Sequence, residues 1–150
     1  MPKLEIVSPS PALKADWRQL YDGYAAHYKR EMTDKIADAV WGWINDPAHE
    51  LEGAIAVLDG KPVGLAHFRR MPSPLRGADV GFLDDLFVDP SVRGSGAAAA
   101  LLAHVRSVAA ARGWELTRWI TADDNYRART LYDKVAKKAG WNTYEMKTAD

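Results

Sequence analysis

The chain has 150 residues, 47% of them hydrophobic, with 20 Lys and Arg balancing 20 Asp and Glu and no cysteine. That length and apolar content suit one domain over residues 1–150 with one core. Zero net charge argues against nonspecific nucleic-acid binding. The missing cysteines exclude disulfides, thiolate nucleophiles and Cys-ligated metals, and no apolar run approaches the roughly 20 residues that span a bilayer.

Leu4 to Val7 reads as a short strand, ended by Ser8-Pro9-Ser10-Pro11. From Ala12 to about Lys29 the pattern is helical: Leu13, Trp17, Leu20, Tyr21, Tyr24 and Tyr28 recur at spacings of three and four. Thr33 is placed to cap a second helix running to Ile44, with Ile36, Val40, Trp41 and Ile44 as its apolar stripe and Asp46-Pro47 as its stop. Glu52 to Leu58 and Val63 to Arg70 are strands joined by an Asp59-Gly60 hairpin turn. Pro72 to Gly77 is a loop, and Val80 to Val88 is the next strand. A helix from about Gly96 to Arg112 closes on Gly113. Leu116 to Thr121 is a strand, Asn125 to Lys138 contains another helix ended by Gly140, and Trp141 to Met146 is a final strand. The order β-α-α-β-β-β-α-β-α-β predicts an α/β fold: a mixed, mostly antiparallel central sheet with helices on both faces. The hairpins exclude a purely parallel, doubly wound sheet.

The chemistry concentrates in two places. In the first, an apolar strand, Leu86-Phe87-Val88, meets Asp89-Pro90, then the turn Arg93-Gly94-Ser95-Gly96, then the alanine-rich helix opening with Ala97-Ala98. Glycines let backbone approach a ligand with no Cβ in the way. The helix start adds unpaired N–H donors and the positive end of its dipole. The arginine adds a charge. Together they suit a phosphate or pyrophosphate. Glycines before an alanine-rich helix also serve as a plain cap. The P-loop reading fails, because no Lys-Ser/Thr follows at the required spacing, and the dinucleotide reading is poor, because Ala98 stands where a third glycine belongs. In the second place, Asp84 and Asp85 sit within an apolar strand, where a carboxylate is costly unless paired or functional. Alternation sends the two to opposite faces.

Charge is unevenly placed. Residues 93–138 hold nine Lys and Arg against four Asp and Glu, and residues 1–92 hold ten against fourteen. This is either chance or one half meeting an anionic ligand and the other a cationic one. His67 on a strand is a candidate base or a satisfied strand histidine. No metal-ligand cluster stands out among the four His. The N-terminus lacks an apolar signal-peptide core, so a soluble cytoplasmic protein is expected.

The turn Arg93 to Ala98, with Asn125, Ala128, Leu131 and Tyr132 downstream, resembles the GNAT N-acetyltransferase superfamily. The resemblance covers about residues 80–146; the first 75 residues match only in element order. Leu83-Asp84-Asp85-Leu86-Phe87-Val88, Trp119 to Asn125 and the long stretch from Lys134 to Trp141 resemble the branch that holds histone, polyamine and D-amino-acid acetyltransferases. In the superfamily, position 97 is often a bulky aliphatic and 98 a glycine; here both are Ala.

The resemblance implies acetyl-CoA as co-substrate, with its phosphates at Arg93, Gly94, Ser95, Gly96, Ala97 and Ala98. It implies a pantetheine arm pairing like an added strand with Leu86, Phe87 and Val88, where two parallel strands splay apart. It implies contact of Asn125 with the pantetheine or pyrophosphate region, and Tyr132 as the acid that protonates the leaving thiolate. Asn125 is also a natural helix N-cap, and a tyrosine on an amphipathic helix is more often core.

An amine acceptor is protonated at neutral pH, with a pKa around 10, and must lose a proton before it attacks. Asp84 and Asp85 are the carboxylates placed to bind the ammonium and relay that proton through water, and a backbone N–H of the strand suits the oxyanion. Direct attack in a ternary complex on a polyamine, a lysine side chain or another small amine follows. Trp17, Tyr24, Tyr28, Trp41 and Trp43 come from the helices that border the acceptor site in the superfamily. Alternatives are an amino-acid or aminoglycoside acceptor, a non-catalytic acyl-CoA-binding regulatory module, or a protein-interaction domain. A homodimer, common in the resembled branch, is a further expectation.

Overall fold

The computed structural model describes residues 2–149. They form two compact units, divided between Ile120 and Thr121. The first unit holds a five-stranded sheet in chain order: β1 (Leu4–Val7), β2 (Leu51–Leu58), β3 (Lys61–Ser73), β4 (Ala78–Val88) and β5 (Thr117–Arg118). The first four strands pair antiparallel, and β5 runs parallel to β4. A mixed, mostly antiparallel sheet was expected and is found.

Helix α1 (Lys14–His27) and helix α2 (Asp34–Ile44) pack on one face, and helix α3 (Ala97–Arg112) packs on the other. Alternation along β3 shows the division. Leu65 and His67 meet Trp17 and Tyr21 of α1, whereas Phe68 meets His104 of α3. The core on the α1 face gathers Trp17, Leu20, Tyr21, Ala37, Val40, Ile55 and Leu65. Thr33 caps α2, accepting the Ile36 N–H at 3.2 Å. The Asp59-Gly60 hairpin forms with both residues at positive φ, 50° and 82°, as a primed two-residue turn requires. Gly23 lets α1 close on β4: a Cβ there would lie 2.9 Å from the Phe87 ring.

Two expected elements differ. The strand expected over Leu116 to Thr121 shrinks to Thr117–Arg118, pairing with Gly81 and Phe82 alone. Beyond Phe82, β4 is laddered only to β3 among the described residues. The strand expected over Trp141 to Met146 does not form. That stretch has no regular structure, and Trp141, Tyr144 and Met146 are exposed. Alternating apolar residues make a strand only where an edge pairs with them, and no ladder reaches these residues.

The second unit holds helix α4 (Tyr126–Val135), shorter than the stretch to Lys138 that the sequence suggests. No helix among the described residues is long and apolar enough to cross a membrane.

Candidate active site

The β3–β4 ladder slips at one point. His67 pairs with Asp85 and Phe68 with Leu83, so Asp84 is the extra residue of a β-bulge. This corrects the expectation that the carboxylates face opposite ways. A bulge breaks the two-residue period and re-aims a side chain. His67 and Arg69, two apart on β3, share the α1 face, and each takes one aspartate. Both carboxylates therefore turn toward the α1 face.

Asp84 is neutralised within the protein. Arg69 Nε donates to it at 3.0 Å, and the guanidinium also lies 4.9 Å over the Phe82 ring. Burial still raises the Asp84 carboxyl above its ordinary range; the Arg69 hydrogen bond and charge oppose this, and repulsion from Asp85 adds to it.

Asp85 is held differently. His67 is fully buried, and its two ring nitrogens have unlike partners. Trp17 Nε1–H donates to Nε2 at 3.0 Å. Nε2 is thus an acceptor, and the ring proton sits on Nδ1. From there it is donated to Oδ2 of Asp85 at 2.8 Å. The Tyr21 hydroxyl donates to the same oxygen at 3.0 Å, and the Tyr24 hydroxyl also donates to this carboxylate. Burial alone would raise the Asp85 carboxyl. The hydrogen bond from His67 and its electrostatic attraction, followed by hydrogen bonds from Tyr24 and Tyr21, outweigh it and hold the group below its usual range. Tyr21 and Tyr24 are both held well above the ordinary phenol range, by burial first and by the Asp85 charge second.

The expected aromatic border divides. Trp17 is 1% exposed and stacks with Trp41 at 4.9 Å. Tyr24 lies 5.0 Å from Tyr28 and edge-on to Phe87 at 6.2 Å. Trp43 is exposed and stacks on His49 instead. Tyr21 and Arg69 were not marked as site residues in the sequence. The signal was present, since Trp17, Tyr21, Tyr24 and Tyr28 fall on one helical face and each has a polar tip. It reads equally as an apolar stripe.

The turn is built as its residues suggest. Asp89 accepts the Ser91 N–H at 2.9 Å, and a short 3-10 turn, Pro90–Val92, leads to Arg93. Gly94 and Gly96 take φ of 84° and 86°, the left-handed region that glycine alone adopts freely. Helix α3 starts at Ala97, whose N–H meets the Ser95 hydroxyl at 3.3 Å. Gly96 offers no capping side chain, and the first turn, including Ala98, carries no acid. By contrast, α1 and α2 carry Asp16 and Asp34 there. Beyond the Ala97 N–H, the first-turn N–H groups of α3 have no intrahelical acceptor, and no acid offsets the helix dipole there.

Leu86, Phe87 and Val88 lie on the stretch of β4 free of β5, so alternate N–H and C=O groups face away from β3. In the second unit, Asn125 occupies the N-cap position of α4, yet its side chain donates to Thr121 Oγ1 at 3.3 Å rather than capping. Tyr132 is half-buried on that helix. A separate cleft of about 620 Å³, lined among others by Ile44, His49, Glu52, Arg70 and Arg112, includes neither aspartate and no part of the turn.

The site thus joins a carboxylate pair, a stretch of β4 that β5 does not pair and a glycine turn at a helix start. Comparison with known proteins gives the chain its family. The model of the acetyltransferase (GNAT) family matches residues 14–136, and the chain belongs to that family. It is an acetyltransferase. A D-amino-acid N-acetyltransferase of Saccharomyces cerevisiae is 28% identical over 138 residues, 91% of this chain and 86% of that one. An aminoglycoside N(6')-acetyltransferase type 1 of Stenotrophomonas maltophilia is 35% identical over 107 residues, 65% of this chain and 62% of that one. Among solved structures, aminoglycoside N-acetyltransferase AAC(6')-Iy in complex with CoA superposes with a TM-score of 0.84 at 22% identity, over 99% of this chain and 97% of that one. At that identity the likeness is one of fold.

The Asp85 network makes a stability prediction. A carboxyl whose folded pKa is depressed contributes stability above its unfolded pKa, near 3.9, and loses it as pH falls through the lower folded value. Asp85→Asn should therefore cost about 1.5–3 kcal/mol at neutral pH, the range for a hydrogen bond to a charged group. The difference from wild type should stay flat from about pH 7 to pH 5 and close only below about pH 4. Urea melts across that range measure it, and a difference that already closes near neutrality would contradict the depressed value.

Proposed function

We propose that this chain moves the acetyl group of acetyl-CoA onto a cationic primary amine by direct attack in a ternary complex. The acceptor class is polyamines, lysine-like side chains or small amines. The observation that carries the reading is the pair Asp84 and Asp85, turned to one face of a strand whose other edge, beyond Phe82, has no ladder among the described residues. The family match crosses both compact units, which supports residues 1–150 working as one N-acetyltransferase domain.

Each group takes one part. Arg93, Gly94, Ser95, Gly96, Ala97 and Ala98 hold the phosphates of acetyl-CoA, and Leu86, Phe87 and Val88 pair with its pantetheine arm through their backbone. Asn125 bonds to the same arm. The aspartates bind the ammonium and pass one proton to water. The freed amine attacks the thioester carbon, a C–N bond forms, and a β4 backbone N–H stabilises the oxyanion. The C–S bond breaks as the amine nitrogen sheds its second proton to water, Tyr132 donates a proton to the departing thiolate, and its phenolate takes one proton back from water. The products are the amide, CoA thiol and one net proton. The named relatives act on a D-amino acid and an aminoglycoside, and such acceptors also present an ammonium.

Thiol release from acetyl-CoA, screened over polyamines, lysine peptides, D-amino acids, aminoglycosides and glutamate, tests the reading. Cationic amines should lead in kcat/KM. Equal turnover of glutamate would remove the role given to charge. No thiol release with any amine would leave an acyl-CoA-binding module.

Tyr132→Phe should lower kcat by about 10²–10⁴-fold, the range for one general acid, with acetyl-CoA affinity little changed. An unchanged kcat, with chemistry rate-limiting, would assign that proton to water.

We also propose a homodimer. The exposed Trp141, Tyr144 and Met146 are the support, being large apolar side chains that association would cover. Light scattering at tens of micromolar should give twice the 16.6 kDa of the chain. A mass at the monomer value would reject it.

A further inference from the structure

The two aspartates are not equivalent. Arg69 supplies a full positive charge to Asp84. Asp85 meets a His67 ring that carries one proton, and the hydroxyls of Tyr21 and Tyr24. These donors stabilise an anion without cancelling its charge. The Asp85 side chain is 18% exposed, so it is sheltered and still reachable.

The second ring nitrogen of His67 is held by Trp17, whose indole N–H lies 3.0 Å from Nε2. An indole N–H only donates. While it occupies Nε2, a second ring proton there would set two N–H groups head to head at 3.0 Å in a buried site, too close for anything between them. Without that donor Nε2 is free, and the Asp85 carboxylate beside the ring then favours a second ring proton against the cost of burial. The resulting imidazolium would pair with Asp85 and neutralise it.

We propose that Trp17 is a positioning residue for amine recognition: by occupying Nε2 of His67 it holds that ring as an uncharged donor, and so reserves the negative charge of Asp85 for the ammonium of the acceptor. This rests on the amine-acetylation reading above and selects Asp85 over Asp84 as the docking point. The other groups around His67 do not take over the role. From α1 come only the Tyr21 and Tyr24 hydroxyls, both donating to Asp85. From β2 the residue opposite is Gly53, which has no side chain. On β3 the Arg69 guanidinium is taken by Asp84 of β4. The α2 side chain stacked on the indole is the uncharged Trp41.

The first test needs no variant and no substrate. In the wild-type protein, the ring nitrogens of ¹⁵N-histidine at position 67 should show one protonated and one bare nitrogen, unchanged from about pH 8 to pH 5.5, although an ordinary imidazole titrates near 6.5. Conversion to the doubly protonated signature within that range, with Trp17 in place, would overturn the proposal. Trp17→Phe keeps an aromatic ring and removes the N–H. There the same signals should titrate. Its amine kcat/KM, divided by the wild-type value at each pH, should fall severalfold toward low pH in step with those ring signals. The KM for acetyl-CoA should not follow. Adding His67→Gln removes the titrating ring and should abolish that extra fall. A folded Trp17→Phe protein with the wild-type pH profile would also overturn the proposal. If that variant does not fold, the wild-type ring signals decide alone. Failure to turn over any amine counts against the amine-acetylation reading, whereas the proton position on His67 is read independently of turnover.

Discussion

His67 and Asp85 face each other across the β3–β4 ladder at 2.8 Å, and the geometry around the proposed acceptor site follows from that pair. The register that sets them opposite forces Asp84 out as a bulge, and the bulge turns a second carboxylate to the same face. Two carboxylates on one side of a strand repel and cost desolvation. The protein meets that cost unequally. Arg69 matches the charge of Asp84, whereas Asp85 is given several hydrogen bonds and no cation. Hydrogen bonds to a charged group contribute about 1.5–3 kcal/mol each, enough in sum to offset the several kcal/mol that burying one ion costs. The result is an anion that is stable where it sits and still lacks a positive partner.

The helix face above it has two functions at once. Trp17, Tyr21, Tyr24 and Tyr28 stack in succession with ring separations of 5.2, 5.9 and 5.0 Å. The rings of Trp17 and Tyr21 fill the core with Tyr24 packed against it, and the polar tips of these three converge on His67 and Asp85. Aromatic residues suit this because one end is apolar and the other can hydrogen-bond. The close approach at Gly23 sets α1 near enough for the tips to reach. Core packing and the polar network thus support each other: a variant that loosens α1 also moves the donors that hold Asp85.

Much of this was legible in the sequence because it is written locally. The Thr33 cap, the Asp59-Gly60 hairpin and the Gly113 stop depend on a few adjacent residues, and each stands where its signal lies. The turn at Arg93 to Ala98 is equally local. What was not legible depends on partners distant in the chain. Whether Trp141 to Met146 forms a strand depends on an available edge, and the extent of β5 depends on how far β4 accepts it. The bulge at Asp84 belongs to the pairing of two strands, so strict alternation misplaced one carboxylate. Trp17 looked like core, and it is core; only the position of His67 gives its N–H a second role.

Strand β4 also sets a length. From Asp85 to Asp89, where the turn begins, four residues advance about 13 Å at roughly 3.3 Å each. One end presents a carboxylate without a cation; the other leads to a helix start with no acid in its first turn and an arginine beside it. Between them lie Leu86, Phe87 and Val88, with backbone groups on their free edge. A ligand that meets the turn with phosphate and reacts beside Asp85 must therefore carry a long, hydrogen-bonding, uncharged arm between its anionic head and its reactive end. An acyl thioester of CoA is built that way, and a free nucleotide is not. On the proposed reading, the opposite polarities of the two ends would orient both substrates, the anionic carrier toward α3 and a cationic acceptor toward Asp85, before any contact specific to the acceptor is made.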